Sequence, residues 1–168
     1  YLNIGLTVAR ELPGRAVADA LAAELGRATP DRTALVLSAL ADRKDAAVSP
    51  AVLAAAKSGA KAIRIAAIGL IGRAGDATSL STLLDSATDA DAEISQAAVA
   101  AITGLPGAKV NDEIVARIAE ADGKVLAVLV TSVGERRISA SKALVKALDP
   151  GDAALRRAAL TALSLIHI

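Results

Sequence analysis

The sequence predicts an all-α protein, an α-solenoid of about five antiparallel helix pairs stacked with a right-handed curve and a repeat of about 31 residues. Two interleaved series carry this. Leu37, Ile68, Val99, Val130 and Leu160 stand 31, 31, 31 and 30 residues apart. Leu40, Ile71, Ile102, Val133 and Leu163 keep step three residues later. A unit of this length cannot bury its apolar face alone, so neighbours must stack. Composition is the third observation. The chain is 54% apolar but has no Phe, Trp, Met or Cys, and Tyr1 is its only aromatic residue. Ala, Leu, Val and Ile must therefore fill the interior. Ala favours helix and adds little bulk, which lets helix axes approach to the short end of the ~8–10 Å range. Burying a Leu or Ile contributes about 1.5–3 kcal/mol and an Ala much less, so stability accumulates from unit to unit.

Each repeat reads as two helices. Arg15 to Leu25 is a second-type helix stopped by Gly26, and residues 31–42 form a first-type helix around Leu37 and Leu40. Ser49-Pro50 opens its partner, with Ser as cap and Pro where a missing N–H costs nothing. Residues 61–73 hold Ile63, Ile65, Ile68 and Ile71, with a turn from Gly72 to Gly75. Asp76 caps the next helix, which carries Leu80, Leu83 and Leu84. Asp91 caps a helix with Ile94, Ala98, Ala101, Ile102 and Leu105 at helical spacing, broken at Leu105-Pro106-Gly107. Its partner starts near Asn111-Asp112-Glu113, runs through Ile114, Val115 and Ile118, and stops at Asp122-Gly123. Residues 124–134 and 139–148 make a further pair, ended by Asp149-Pro150-Gly151, and Asp152 to Leu163 is a last helix. No flexible linker divides the chain, so residues 1–162 read as one array, with the register placing Tyr1 to Leu6 in mid-repeat and leaving both ends incomplete. The string Leu163 to Ile168 departs from the Ala/Arg style before it and resembles translated sequencing-adapter read-through; the other reading is an apolar continuation of the last helix.

Nineteen basic and 18 acidic residues leave a formal charge of +1, without the concentrated basic face that nucleic acid would require. Absence of Cys removes disulfides, thiolate metal sites and Cys nucleophiles within these residues, and leaves the compartment open. The longest apolar run, Val125 to Val133, is nine residues and already contains Thr131 and Ser132, far short of the ~20 a membrane span needs. A basic start, apolar middle and small-residue cleavage site are all missing, so no signal peptide is read.

Convergent polar chemistry is scarce. His167 is the sole histidine and therefore the sole candidate for His-based catalysis or metal binding. Asp89, Asp91 and Glu93 imitate the start of a calcium loop, but Ile94 and Ala100 stand where Gly and Glu are required. Gly69, Gly72 and Gly75 close a helix rather than follow a strand, so they read as packing and stop positions, not a phosphate cradle. Neither a metal, a cofactor nor a small-molecule ligand is expected. Glu113, Arg117 and Glu120 lie at i, i+4 and i+7, as do Lys142, Lys146 and Asp149, each a charged stripe on a second-type helix. Such stripes are solvated faces supported by helix ion pairs, or contacts for a protein partner. Arg136-Arg137 and Arg156-Arg157 read as helix-end and inter-repeat residues.

Helix pairs of this length, with Asp opening the first helix and an aliphatic-Arg pair inside it, resemble HEAT repeats. Ile63-Arg64-Ile65-Ala66-Ala67-Ile68-Gly69 and Asp152-Ala153-Ala154-Leu155-Arg156-Arg157-Ala158-Ala159-Leu160 carry the resemblance. Asp91 to Val99 has Ser95 where Arg is expected, and residues 124–134 lack both Asp and Arg, which would interrupt an inter-repeat polar ladder. The short, Ala-rich style is nearest to bacterial HEAT-like repeats inside large multidomain proteins. That resemblance implies a non-catalytic protein-interaction or scaffolding segment, its second helices lining a concave side, with Glu113, Arg117, Glu120, Lys142 and Lys146 as partner-binding candidates. The partner would be another protein or other domains of the same chain. Other readings are a bilin lyase-type HEAT-like protein or a passive spacer. A base-removing DNA repair role fits poorly, since it usually wants aromatic side chains to hold bases.

Overall fold

A computed structural model describes residues 2–25, 27–43, 48–148 and 151–166, with the side chains of residues 2, 3 and 146 left aside. Every regular element among them is helical. The first helices are α1 (Leu2–Glu11), α3 (Pro30–Ala41), α5 (Lys61–Ala74), α7 (Ala92–Gly104), α9 (Gly123–Glu135) and α11 (Ala153–Ile166). Between them run the second helices α2 (Arg15–Leu25), α4 (Pro50–Ser58), α6 (Leu80–Ala87), α8 (Ala108–Ile118) and α10 (Ser141–Leu144). A 3₁₀ turn, Ala77–Ser79, leads into α6, and another, Val145–Leu148, extends α10. Gly26, Asp149, Pro150 and His167 lie outside the described residues.

The chain folds as two compact units whose boundary falls within the Leu105-Pro106-Gly107 step, after residue 106. In the first unit α1, α3, α5 and α7 pack in succession, with α2, α4 and α6 as a second layer. In the second unit α9 packs on α11, and α8 and α10 lie against them. The closest helix pairs differ from the sequence pairing. In the first unit each second helix packs most tightly on the first helix that follows it (α2 on α3, α4 on α5, α6 on α7), not on the one before, and in the second unit α8 packs on α9. Ala56 and Ala87 are both buried in the last turns of α4 and α6.

The repeat is most regular at helix starts. Thr29, Ala60, Asp91, Asp122 and Asp152 precede the five later first helices at intervals of 31, 31, 31 and 30. Asp91 accepts from the amides of Glu93 and Ile94, and Asp152 from those of Ala154 and Leu155. These bonds satisfy donors that a helix leaves free at its start. Ser49 caps α4 by accepting from Val52, and Asp76 accepts from Thr78. Second helices also keep time: Leu21, Val52, Leu83, Ile114 and Leu144 are all buried, 31, 31, 31 and 30 residues apart.

Several sequence expectations need correcting. Val99 is only partly buried and Leu160 is 56% exposed, while Ala98 and Ala159, one position earlier, are fully buried. The buried phase that persists through the first helices runs through Val36, Ala67, Ala98, Leu129 and Ala159, at intervals of 31, 31, 31 and 30. Gly123 opens α9 with φ +47°, a left-handed conformation that suits glycine. Asp122 therefore starts α9 rather than ending α8, although its side chain makes no capping bond. α8 begins at Ala108, three residues before the acidic cluster, because Gly107 at φ +105° makes the turn into it. Residues 139–148 give only a short α-turn and a 3₁₀ turn, tightening ahead of Pro150, whose ring disfavours helix at the residue before it. Residues 163–166 continue α11.

Gly72 packs inside α5 instead of opening a turn, and the helix stops at Gly75. α5 continues through Gly72 to Ala74, and a Cβ on Gly72 would lie 2.7 Å from the Cα of Ala101 in α7. The same close approach recurs between α9 and α11, where a Cβ on Gly134 would meet the Cα of Ala162 at 2.7 Å. Gly75 caps α5, its N–H donating to the carbonyl of Ile71.

Candidate functional site

The stripe on α8 is partly assembled. Arg117 Nε donates to Glu113 Oε1 at 2.7 Å, and both side chains are about one-third exposed, at 35% and 39%. Glu120 lies beyond the last residue of α8 and is exposed. Its N–H donates to the carbonyl of Arg117. Lys142 is exposed on α10, while the side chain of Lys146 lies outside the described residues. The structure thus joins Glu113 and Arg117 in an ordinary i, i+4 pair and leaves Glu120 and Lys142 facing solvent.

A denser polar cluster, missed as a unit in the sequence, joins the starts of α5 and α7. Lys61 Nζ reaches Glu93 Oε1 at 2.8 Å and Asp91 Oδ2 at 2.9 Å. The two carboxylates, Glu93 first, hold the Lys61 ammonium above its ordinary pKa, and Lys61 in turn holds Asp91 below the usual carboxylate value. Arg64 Nη2 donates to Asp89 Oδ2 at 2.6 Å, and its Nε donates to the carbonyl of Ala56 at the end of α4 at 3.0 Å. Asp89 is lowered chiefly by the backbone N–H of Asp91 and next by Arg64. The signal in the sequence was opposite charge about one repeat apart: Lys61 against Asp91 and Glu93. The oxygens of the apparent calcium-loop residues are thus engaged by two cations and by backbone amides. Among the described residues no group of three or more His, Cys, Asp or Glu is placed to hold a metal ion.

Ser95 occupies the place one repeat after Arg64 and keeps half of its role. Its hydroxyl donates to the carbonyl of Ala87 at 2.6 Å, eight residues back, as Arg64 does to Ala56. Two further arginines act at helix ends. Arg136 Nε donates to Asn111 Oδ1 at 2.9 Å, and burial lowers its pKa. Arg43, just past α3, is buried and donates to carbonyls around the α1–α2 turn. Nothing in the sequence distinguished Arg43 from a surface arginine.

No helix among the described residues is long and apolar enough to cross a membrane. No protein-family model matches the chain, and no curated protein does.

Proposed function

We propose that this chain is a HEAT-like α-solenoid array of about five helix pairs that serves as a non-catalytic interaction or scaffolding segment of a larger multidomain protein. The observation that carries the reading is the recurrence of first-helix starts at Thr29, Ala60, Asp91, Asp122 and Asp152, with buried residues recurring in phase behind them. Elements so alike, each burying one side on its neighbours, use their residues for stacking and leave the outer side chains to meet other molecules. On α8 those are Glu113 and Arg117, just past it Glu120, and on α10 Lys142. A mixed-sign stripe of this kind favours a protein surface of complementary charge over a uniform polyanion. Partners are another protein or other domains of the parent chain.

Lysine-directed crosslinking of the full-length parent, read by mass spectrometry, tests this. Contacts through residues 50–149, which include Lys57, Lys61, Lys109, Lys124 and Lys142, are expected. Their complete absence would leave the array a spacer.

A further inference from the structure

We propose that α1 is a hinged element latched by Arg43, able to swing away while the rest of its unit stays folded. Apolar docking of α1 is slight. Among its described side chains only Leu6 is buried, whereas Ile4 and Val8 are 69% and 48% exposed, and Leu12 just past it is 50% exposed. In α5, by contrast, Ile63, Ala67, Ile68, Leu70, Ile71 and Gly72 are all buried. What fixes α1 is a set of polar contacts gathered at its C-terminal end. Arg43, only 7% exposed, donates through Nη1 to the carbonyls of Ala9 and Leu12 and through Nη2 to that of Gly14. Those acceptors straddle the Leu12-Pro13-Gly14 connection, where Gly14 sits at φ +115°. One guanidinium from the end of α3 therefore holds both the last turn of α1 and the bend that follows. A cation there also meets the negative end of the helix, and charged donors make the stronger hydrogen bonds. Arg10 adds an ion pair to Asp42 at 3.0 Å, half in solvent, and a long bond to Ser38 Oγ at 3.4 Å. Opening about the Pro13–Gly14 bend would uncover Leu6 and the part of α3 that α1 covers, and would break these contacts. Segments of that kind open below the global unfolding free energy.

Native-state amide hydrogen exchange of the whole chain, resolved by peptide, tests the latch. In the unaltered protein residues 2–12 are expected to exchange by local opening, faster than buried amides of α3 and α5. In Arg43→Ala, exchange over residues 2–12 is expected to rise about ten- to hundredfold, with α5 unchanged, as loss of bonds from a charged donor implies. If α1 in the unaltered protein is as protected as α5, the hinge is wrong whether or not the variant folds. If Arg43→Ala leaves α1 unchanged, or loosens α1, α3 and α5 equally, Arg43 is not a latch.

Discussion

The α5–α7 contact in the first unit and the α9–α11 contact in the second are built on one pattern and finished differently. Both bring a helical glycine against an alanine, Gly72 on Ala101 and Gly134 on Ala162, with the same 2.7 Å limit on any added Cβ. At the starts of the helices they diverge. α5 and α7 are tied by Lys61, Arg64, Asp89, Asp91 and Glu93. The place taken by Arg64 and Ser95, four residues after Ala60 and Asp91, falls in α9, four after Asp122, to Leu126, which offers no donor. Close backbone approach recurs where the ionic cluster does not, so the small-residue contact is the feature that defines the packing. The half-exposed pairs of Lys61 contribute little by comparison with core burial.

The largest expected effect sharpens the part the two contacts share. Ile68→Asp and Val130→Asp, at fully buried positions, should each cost about 4 kcal/mol or more and unfold their units, measured by far-UV circular dichroism in urea. Ala98→Asp should cost more than Val99→Asp, because only the former is fully buried. The reverse order would restore the phase read from the sequence.

Gly72→Ala and Gly134→Ala come next, each expected to cost about 1–3 kcal/mol by overpacking despite the helix propensity of Ala. Gly69→Ala, with nothing within 4 Å of its added Cβ, should instead stabilise, by up to about 1 kcal/mol. A neutral Gly134→Ala beside a costly Gly72→Ala would break the equivalence of the two contacts.

Acid should tell the regions apart. Asp76, Asp89 and Asp91 have pKa values below ordinary in the folded protein. Their contribution is therefore present above the unfolded value of about 3.9 and is lost as pH falls through the folded values. Urea midpoints should drop from about pH 6 to about pH 3, and drop less in Arg64→Ala, which loses the Asp89 partner beforehand. Lys61 has the opposite sense: its contribution is present below the usual lysine value and is lost as pH rises through the raised one. An equal acid drop in Arg64→Ala would take Asp89 out of the account. Smallest of all is Arg117→Ala, expected within about 0.5 kcal/mol in a thermal melt, since its Glu113 pair is partly solvated.

Much of this was legible beforehand. The helices after α1, the capping roles of Ser49, Asp76 and Asp91, and the packing role of Gly72 follow from local chemistry a single sequence displays. Phase was harder. Val99 and Leu160 match the aliphatic period, yet Ala98 and Ala159 are the fully buried residues. In an alanine-rich helix the buried side need not carry the largest side chains, so hydrophobicity alone misplaces it by one residue. Of the α8 stripe only the Glu113–Arg117 pair was readable, because i, i+4 geometry is local. The Arg64–Asp89 bond and Arg43's reach to Ala9 depend on how helices come together.

The hydroxyl of Ser95 has a wider consequence. Its acceptor is a main-chain oxygen, which every residue type supplies, so the joint asks only for some donor of suitable reach. Spelling can drift at such a joint while the wiring stays the same. Relatedness between modules of this chain is then better measured by comparing which carbonyl receives a proton donor than by comparing letters.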